Sequence, residues 1–255
     1  MIELQKGKMN SLNPYYGLLR SILMYYAVPF RARRLAHFYA QFIRPGDLCF
    51  DVGAHVGSRL RVWSRLGARI LAIEPQPGCM RLLRRWYGGK PDITLLECAL
   101  GAAPGEQTLY ISRRTPTVTS MSAEWIAAVR QAQSFSSVRW DSAIQVPVTT
   151  IDLLIARYGE PAFIKIDVEG YEWEVLKGLS RPIRSLSFEF IPAAASTAVG
   201  CIRQLDRLGA YEYNYATGES MRLQLESWTS GGQLVTWLEE LEADHPSGDI
   251  YARKI

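Results

Sequence analysis

The sequence predicts a doubly wound α/β sheet, and three observations carry that prediction. Short apolar runs alternate with stretches of helical periodicity from residue 48 to residue 253, the pattern of strands joined by crossover helices. The first run, Leu48-Cys49-Phe50-Asp51-Val52, leads straight into glycines, as a buried strand feeding a tight turn does. No internal repeat or low-complexity tract breaks the alternation. Composition agrees. The AVILMFWYC set makes up 48% of 255 residues and charged residues 21%, which excludes a disordered, collagenous or coiled-coil chain and leaves room for a sizeable core.

Residues 1–45 read as an N-terminal helical extension, and residues 46–255 as the main domain. Within the extension, Leu18, Leu19, Ile22, Leu23 and Tyr26 fall at spacings of three and four before Pro29 breaks the helix. Leu35, Phe38, Tyr39 and Phe42 form the apolar stripe of a second helix, and Arg44-Pro45-Gly46-Asp47 is a turn. After the strand 48–52, Ser58 to Leu66 fits a helix, Arg69 to Glu74 a second buried strand, and Pro77 to Tyr87 another helix. Ile93 to Ala99 reads as a third strand, and Gly105 to Ile111 alternates as a hairpin arm does. Residues 113–145, rich in Ser, Thr, Arg and Gln, are expected to form a long loop with a short helix. Such loops are more often functional than idle. Val146 to Thr149 resumes extended structure, followed by a helix (Ile151 to Tyr158), the strand Ala162 to Asp167, a helix (Tyr171 to Leu179) and the strand Leu186 to Phe190. Residues 196–209 read as helix, Tyr211 to Tyr215 as strand, Leu234 to Leu241 as helix and Ile250 to Arg253 as the last strand.

Lys and Arg number 29 against 25 Asp and Glu, a net +4 too mild to imply a nucleic-acid partner. The distribution is uneven: residues 1–90 hold 15 basic and 4 acidic side chains, so one face or terminus is expected to meet anions. The extension fits either packing on the main domain or a substrate lid or peripheral membrane-surface helix whose Arg31, Arg33 and Arg34 face phosphates or lipid headgroups. Lys6 and Lys8 supply the basic start a signal peptide would need. The best apolar stretch, Gly17 to Phe30, includes Arg20 and falls short of the ~18–20 residues a membrane span needs. Tyr25-Tyr26-Ala27-Val28-Pro29 followed by arginines is a poor signal-peptide cleavage region, so the segment reads as mature protein. Cys49, Cys79, Cys98 and Cys201 form no CxxC pair. That argues against a zinc finger or a disulfide framework and for a reducing, cytoplasmic compartment.

In an open α/β sheet the ligand site lies at the carboxyl ends of the strands, where strand order reverses. There the first strand ends in Asp51-Val52-Gly53-Ala54-His55-Val56-Gly57-Ser58. The spacing Gly53-x-x-x-Gly57 is not the GxGxxG that brings a pyrophosphate to a helix N-terminus, which disfavours a nicotinamide oxidoreductase, and Asp51 would repel such a group. The same acid suits a cationic amino group. Glu74 ends the second strand, where a carboxylate can accept both hydroxyls of an adenosine ribose at about 1.5–3 kcal/mol per bond. One acid for an ammonium, one for a ribose and no phosphate cradle point to S-adenosylmethionine.

From about Gly46 to Lys254 the chain resembles the FkbM family of S-adenosylmethionine-dependent methyltransferases. The residues carrying the resemblance are Asp51 to Gly57, Ile73-Glu74-Pro75, Cys98-Ala99-Leu100-Gly101 with Gly105 and Tyr110 downstream, Thr149-Thr150-Ile151-Asp152, Phe163 to Glu172, and Phe188-Glu189-Phe190. His55 and Cys98 stand where asparagine is common in the family. What the resemblance implies is a class I methyltransferase (Rossmann-like) sheet of seven strands, mostly parallel with the last antiparallel, and helices on both faces. It implies S-adenosylmethionine as cofactor, S-adenosylhomocysteine as product, and a hydroxyl of a sugar, glycolipid or natural-product scaffold as methyl acceptor. The cofactor-binding positions it implies are Asp51, Gly53, Ala54, His55, Gly57, Ser58, Glu74, Pro75, Cys98, Ala99, Leu100 and Asp167.

Methyl transfer to a hydroxyl is an in-line displacement that gains most from alignment, but the alcohol must also lose its proton. Asp167, ending its strand beside the cleft, is the first candidate for base or hydroxyl acceptor. Glu169 in the same turn and His55 in the glycine turn are the others. Asp167 can equally cap the turn into the next helix, and His55 can pack beside the methionine moiety. Asp167, Glu169 and Glu189 end adjacent strands and could share a divalent cation, although no metal site is assigned. Lys165 fits either a buried ion pair with these acids or a contact to an anionic substrate. Trp125, in the long loop, is the tryptophan to test for substrate stacking. Glu172 and Glu174 flank Trp173 on what reads as a solvated helix face. An N- or carboxyl-methyltransferase, and a non-catalytic binding protein on the same fold, stand as alternatives.

Overall fold

The computed structural model describes residues 13–255 apart from Pro29, Gln133, Ser134, Glu219 and Ala243. Lys6, Lys8 and the helix break assigned to Pro29 therefore lie outside the described residues. Two helices open the described chain, α1 (Asn13–Tyr26) and α2 (Arg31–Tyr39). Then strands and helices alternate: β1 (Leu48–Val52), α3 (Ser58–Arg65), β2 (Arg69–Ile73), α4 (Pro77–Tyr87) and β3 (Ile93–Leu96). A side branch follows, with β4 (Ala99–Leu100), β5 (Gly105–Ile111), α5 (Ala123–Val129) and β6 (Ser142–Thr149). Alternation resumes with α6 (Ile151–Tyr158), β7 (Phe163–Ile166), α7 (Glu172–Lys177), β8 (Ser185–Phe190), α8 (Ala195–Leu208), β9 (Tyr211–Thr217), β10 (Thr229–Ser230), α9 (Gly231–Glu239) and β11 (Gly248–Lys254).

The main sheet runs β10-β9-β11-β8-β7-β1-β2-β3, with β3, β2, β1, β7 and β8 parallel and β11 antiparallel to both neighbours. It has eight strands where the resemblance implied seven; the addition is the two-residue β10 at the edge. Strand order reverses between β1 and β7, which is where a crevice opens in such a sheet.

Period-two burial explains how both faces fill. Phe50 and Val52 of β1, with Ile164 and Ile166 of β7, face the core shared with α6 to α9. Cys49 and Phe163 point the other way, into a core with α2, α3 and α4. On that second face a polar row crosses the sheet one step nearer the carboxyl ends, where Asp51, Lys165, Ser187 and Tyr251 are register partners in turn. Asp51 and Lys165 of this row form the floor of the crevice.

The α2 stripe packs as its spacing predicts. Phe42 stacks on Tyr251 at 5.4 Å and meets Phe163 at 5.3 Å, while Tyr39 meets Trp63 edge-on at 5.4 Å. Arg184 ties this segment down by donating to Phe42 O (2.6 Å) and Asp47 Oδ2 (2.7 Å).

Two sequence expectations are corrected. The strand expected over 93–99 ends at Leu96, and Ala99–Leu100 leaves the main sheet to pair with β6 in a three-stranded sheet β4-β6-β5. Glu97 interrupts the apolar run at the break, but one polar residue also fits an alternating strand, so the pattern alone does not end β3 there. The 113–145 segment is also more ordered than expected: β6 begins at Ser142 and pairs with the whole of β5, and a 3-10 turn spans Pro116–Val118.

Candidate active site

The crevice lies at the carboxyl ends of β1, β2 and β7 and encloses about 870 Å³ including its open mouth, within the range of small-ligand clefts. Two turns form its sides. The first follows β1, where Gly53 (φ +85°) and Ala54 donate their N–H groups to Ile73 O at 2.9 and 3.1 Å. A Cβ on Gly53 would lie 1.9 Å from Asp167 O, so only glycine lets the turns after β1 and β7 meet. His55 follows with φ +47°, a left-handed conformation that costs a non-glycine residue of order 1–3 kcal/mol.

Glu74 holds that conformation in place. Its Oε2 accepts the His55 N–H (2.7 Å) and its Oε1 the Gln76 N–H (2.8 Å), and each oxygen keeps a further lone pair for a ligand. Burial pushes the carboxyl up to about 7 despite these bonds.

The second turn, after β7, repeats the device. Glu169 is left-handed (φ +54°), and the buried Glu172 Oε1 accepts the N–H groups of Val168 (3.0 Å) and Gly170 (3.2 Å). Burial pushes Glu172 up to about 7 as well. This corrects the solvated-face reading of Glu172, which is 1% exposed; Glu174 does pair with Lys177 at the surface. The helix begins at Glu172 rather than at Tyr171, so its first side chain turns back to cap the turn.

Charges on the floor are unequal. Asp51 is buried, and its Oδ2 finds no partner among the described residues. Desolvation pushes its carboxyl up to about 6 against the opposing pull of Lys165 and Arg59. Lys165 does form the buried ion pair, 2.6 Å from Asp167 Oδ2 and 3.6 Å from Asp249 Oδ1. Burial would raise Asp167, but the Lys165 ammonium outweighs it and holds the carboxyl below its ordinary range. Asp167 is thus an ionised carboxylate, 37% exposed at the mouth.

Asp167, Glu169 and Glu189 do converge, each offering an oxygen within 4.8 Å of the others. Burial first, then mutual repulsion, raises Glu169 and Glu189 well above the carboxylate range. Three crowded carboxyls relieve that repulsion by retaining a proton, and the same oxygens are hard donors.

The His55 side chain is half-buried, with its buried Nε2 unpartnered among the described residues and the Tyr25 ring edge-on at 6.1 Å. Desolvation lowers it to about 4, so the imidazole is neutral at ordinary pH. Ser58, Pro75, Cys98, Ala99 and Leu100 line the same crevice. Gly57 does not. It caps α3 with φ +77°, and a Cβ there would meet Leu83 and Tyr87 at 2.8 Å, so its part is to let the turn rest on α4.

Sequence reasoning missed Tyr25, Arg59, Thr119 and Met121, which also line the crevice. The 113–145 segment does reach the site, through Thr119 Oγ1 donating to Gln76 Oε1 (3.1 Å), but not through Trp125. Trp125 is 4% exposed and packs against Phe135 and Trp140, where a Cβ on Gly170 would meet its ring at 2.0 Å.

The curated relative "Hexuronic acid methyltransferase AglP" of Haloferax volcanii is 22% identical over 146 residues, 57% of this chain; the chain spans about 55% of that relative's length. Among solved structures, a precorrin-6y C5,15-methyltransferase of Geobacter metallireducens superposes with TM-score 0.44 at 14% identity, over 88% of each chain. A SAM-dependent O-methyltransferase of Thermotoga maritima gives 0.40 at 12% identity, over 93% of this chain and 71% of that one. The methyltransferase FkbM domain model matches residues 51–216, from the acid of the glycine turn to the end of β9 and so most of the chain, and the protein belongs to that methyltransferase family.

Proposed function

We propose that the protein binds S-adenosylmethionine in this crevice and methylates a hydroxyl of a sugar, glycolipid or other polyhydroxylated small molecule. The observation that carries the cofactor reading is the buried, unpartnered Oδ2 of Asp51, an acceptor waiting for a cationic donor at the crevice floor. Asp51 would receive the ammonium, Glu74 the ribose hydroxyls through its free lone pairs, and Ala99 and Leu100 the apolar face of the adenine. When bound, that cofactor supplies an electrophilic methyl carbon on a sulfonium sulfur.

The chain's own work is then to present the acceptor and take its proton. Lys165 occupies Asp167 Oδ2, and among the described residues no hydrogen bond reaches Oδ1. That oxygen accepts the substrate hydroxyl and aligns it. Asp167 is a weak base because Lys165 holds it ionised, so the proton passes to Glu169 in its carboxylate form, the stronger base, while the proton the cluster retains lies on Glu189. His55, with its depressed pKa, contributes an acceptor nitrogen rather than a base. A carbohydrate acceptor is supported by the relative whose name specifies a hexuronic acid.

Calorimetric titration with S-adenosylmethionine and S-adenosylhomocysteine tests the cofactor, and transfer of a labelled methyl group to hydroxylated acceptors tests the reaction. Saturable binding and a base-stable labelled ether are expected, with Asp167→Asn keeping the binding and losing turnover. Absence of binding to both ligands would overturn the cofactor reading. A base-labile ester or a labelled amine would overturn the hydroxyl reading while leaving the cofactor in place.

A further inference from the structure

The first described helix has two opposite apolar faces, and only one is used. Gly17, Ser21 and Tyr25 recur at fours; Gly17 and Ser21 are buried, and Tyr25 stands against His55 in the crevice. A Cβ on Gly17 would strike Arg113 O at 2.4 Å, so this face is pressed onto the rest of the molecule. On the other side Tyr16, Leu19, Leu23 and Tyr26 recur at three, four and three. The first three are 61%, 54% and 56% exposed, and Phe30 beyond the helix is 77% exposed. Met24 and Val28 are exposed beside them, whereas Leu153 and Trp173 lie apart in the sequence.

Charge accompanies this stripe. Residues 13–46 contain five arginines and no Asp or Glu, and Arg20, Arg33 and Arg34 are exposed. The stripe ends at Tyr26, which lines a separate groove with Arg61, Arg65, Arg85, Lys90 and Trp86; no acidic side chain lines it. The described residues give these four cations no ion pair, whereas neighbouring Arg84 pairs with Glu97. At ~1.5 Å per residue, α1 is ~21 Å long, enough to lie along a bilayer interface, and no described helix is long and apolar enough to cross one.

We infer that α1 and the groove at its end form a docking surface for an anionic lipid bilayer. The outer stripe of α1 lies among the acyl-chain ends of the headgroup layer, and the arginines and the Tyr26 groove meet lipid phosphates. Apolar exposure without the charge would fit a second copy of the chain equally well. The excess of arginine over acid in the sequence of residues 13–46, together with the cations lining the Tyr26 groove, selects an anionic surface. This docking does not depend on the methyl-transfer reading.

The test is co-sedimentation of the full chain with phosphatidylcholine vesicles, with and without phosphatidylglycerol. The expected result is pelleting only with the anionic vesicles, weakened by added salt. The double variant Leu19→Ser with Leu23→Ser, and separately Arg65→Glu with Arg85→Glu, should each lower the bound fraction at least tenfold. Both should leave the melting temperature and S-adenosylhomocysteine affinity as in the parent, since none of these residues enters the crevice. Failure to pellet with anionic vesicles, or pelleting that neither variant weakens, would overturn the inference. So would a light-scattering dimer that the leucine variant alone dissolves, which would assign the stripe to a second copy. Binding of inorganic phosphate in the groove without vesicle binding would assign the cations to a soluble anion instead.

Discussion

At the scale of single residues, the site is governed by buried glutamates that hold backbone rather than substrate. Glu74 and Glu172 each clamp a turn containing a left-handed non-glycine residue, His55 in one and Glu169 in the other. Glu74→Ala removes two charge-assisted bonds of about 1.5–3 kcal/mol each and frees His55 to relax. The expected outcome is S-adenosylhomocysteine affinity lowered well over tenfold by calorimetry, with Glu74→Gln intermediate because the amide oxygen retains one acceptor. Protonation matters at the same scale. Asp51 and Glu74 are pushed up to about 6 and about 7, and a bound ammonium favours the ionised acid. The complex therefore binds fewer protons than the free protein, so affinity should rise with pH through about 6–7 and then level off. A titration series that is flat across that range would remove Asp51 as the ammonium's partner.

Elements impose the next constraint, because two turns must touch. Gly53→Ala places a methyl group 1.9 Å from Asp167 O in a turn at φ +85°. The β1 and β7 ends must separate to accept it, and loss of cofactor binding together with a lower melting temperature is expected. On β7, Lys165 is the counter-ion for Asp167 and Asp249. Lys165→Met breaks a buried pair, which costs about 3–5 kcal/mol by chemical denaturation. It also releases Asp167 from its depressed pKa, so the acidic limb of the rate profile should move to higher pH. An unchanged limb would show that Asp167 does not titrate in turnover.

Over the whole molecule, the helical segment before β1 and the sheet share one core. Tyr39 is fully buried against Trp63 and Phe163, so Tyr39→Ala is expected to cost about 3–5 kcal/mol in denaturant unfolding. Removal of residues before 46 should likewise expose Phe163 and Tyr251 and yield a chain without a cooperative melt. Global stability should also depend on pH in the direction set by the raised carboxyls. Asp51, Glu74 and Glu172 bind protons more readily folded than unfolded, so their contribution is favourable at low pH. It declines as pH rises from about 4.5 through about 7. Bound S-adenosylhomocysteine should offset part of that decline by pairing Asp51 and Glu74, which a melting series with and without ligand would show.

Sequence pattern alone determined the alternation of strands and helices, the glycine turn after β1, and the acids at the ends of β1, β2 and β7. Those features are local: period, run length and turn chemistry are written in neighbouring residues. Asp51, Glu74 and Asp167 were legible for the same reason, since each ends an apolar run. Tertiary structure decided what depends on distance along the chain. The end of β3 at Leu96 is set by which sheet the next residues join, not by their apolarity. Tyr25 and Thr119 enter the crevice only because α1 and the 113–145 segment fold across it. Glu172 looks like any surface glutamate on its helix until the turn after β7 brings two N–H groups to its carboxylate. Trp125 looks available in a polar stretch until Gly170 makes room for its ring. In each case the deciding partner lies in another element or across a turn, and only the folded chain brings the two together.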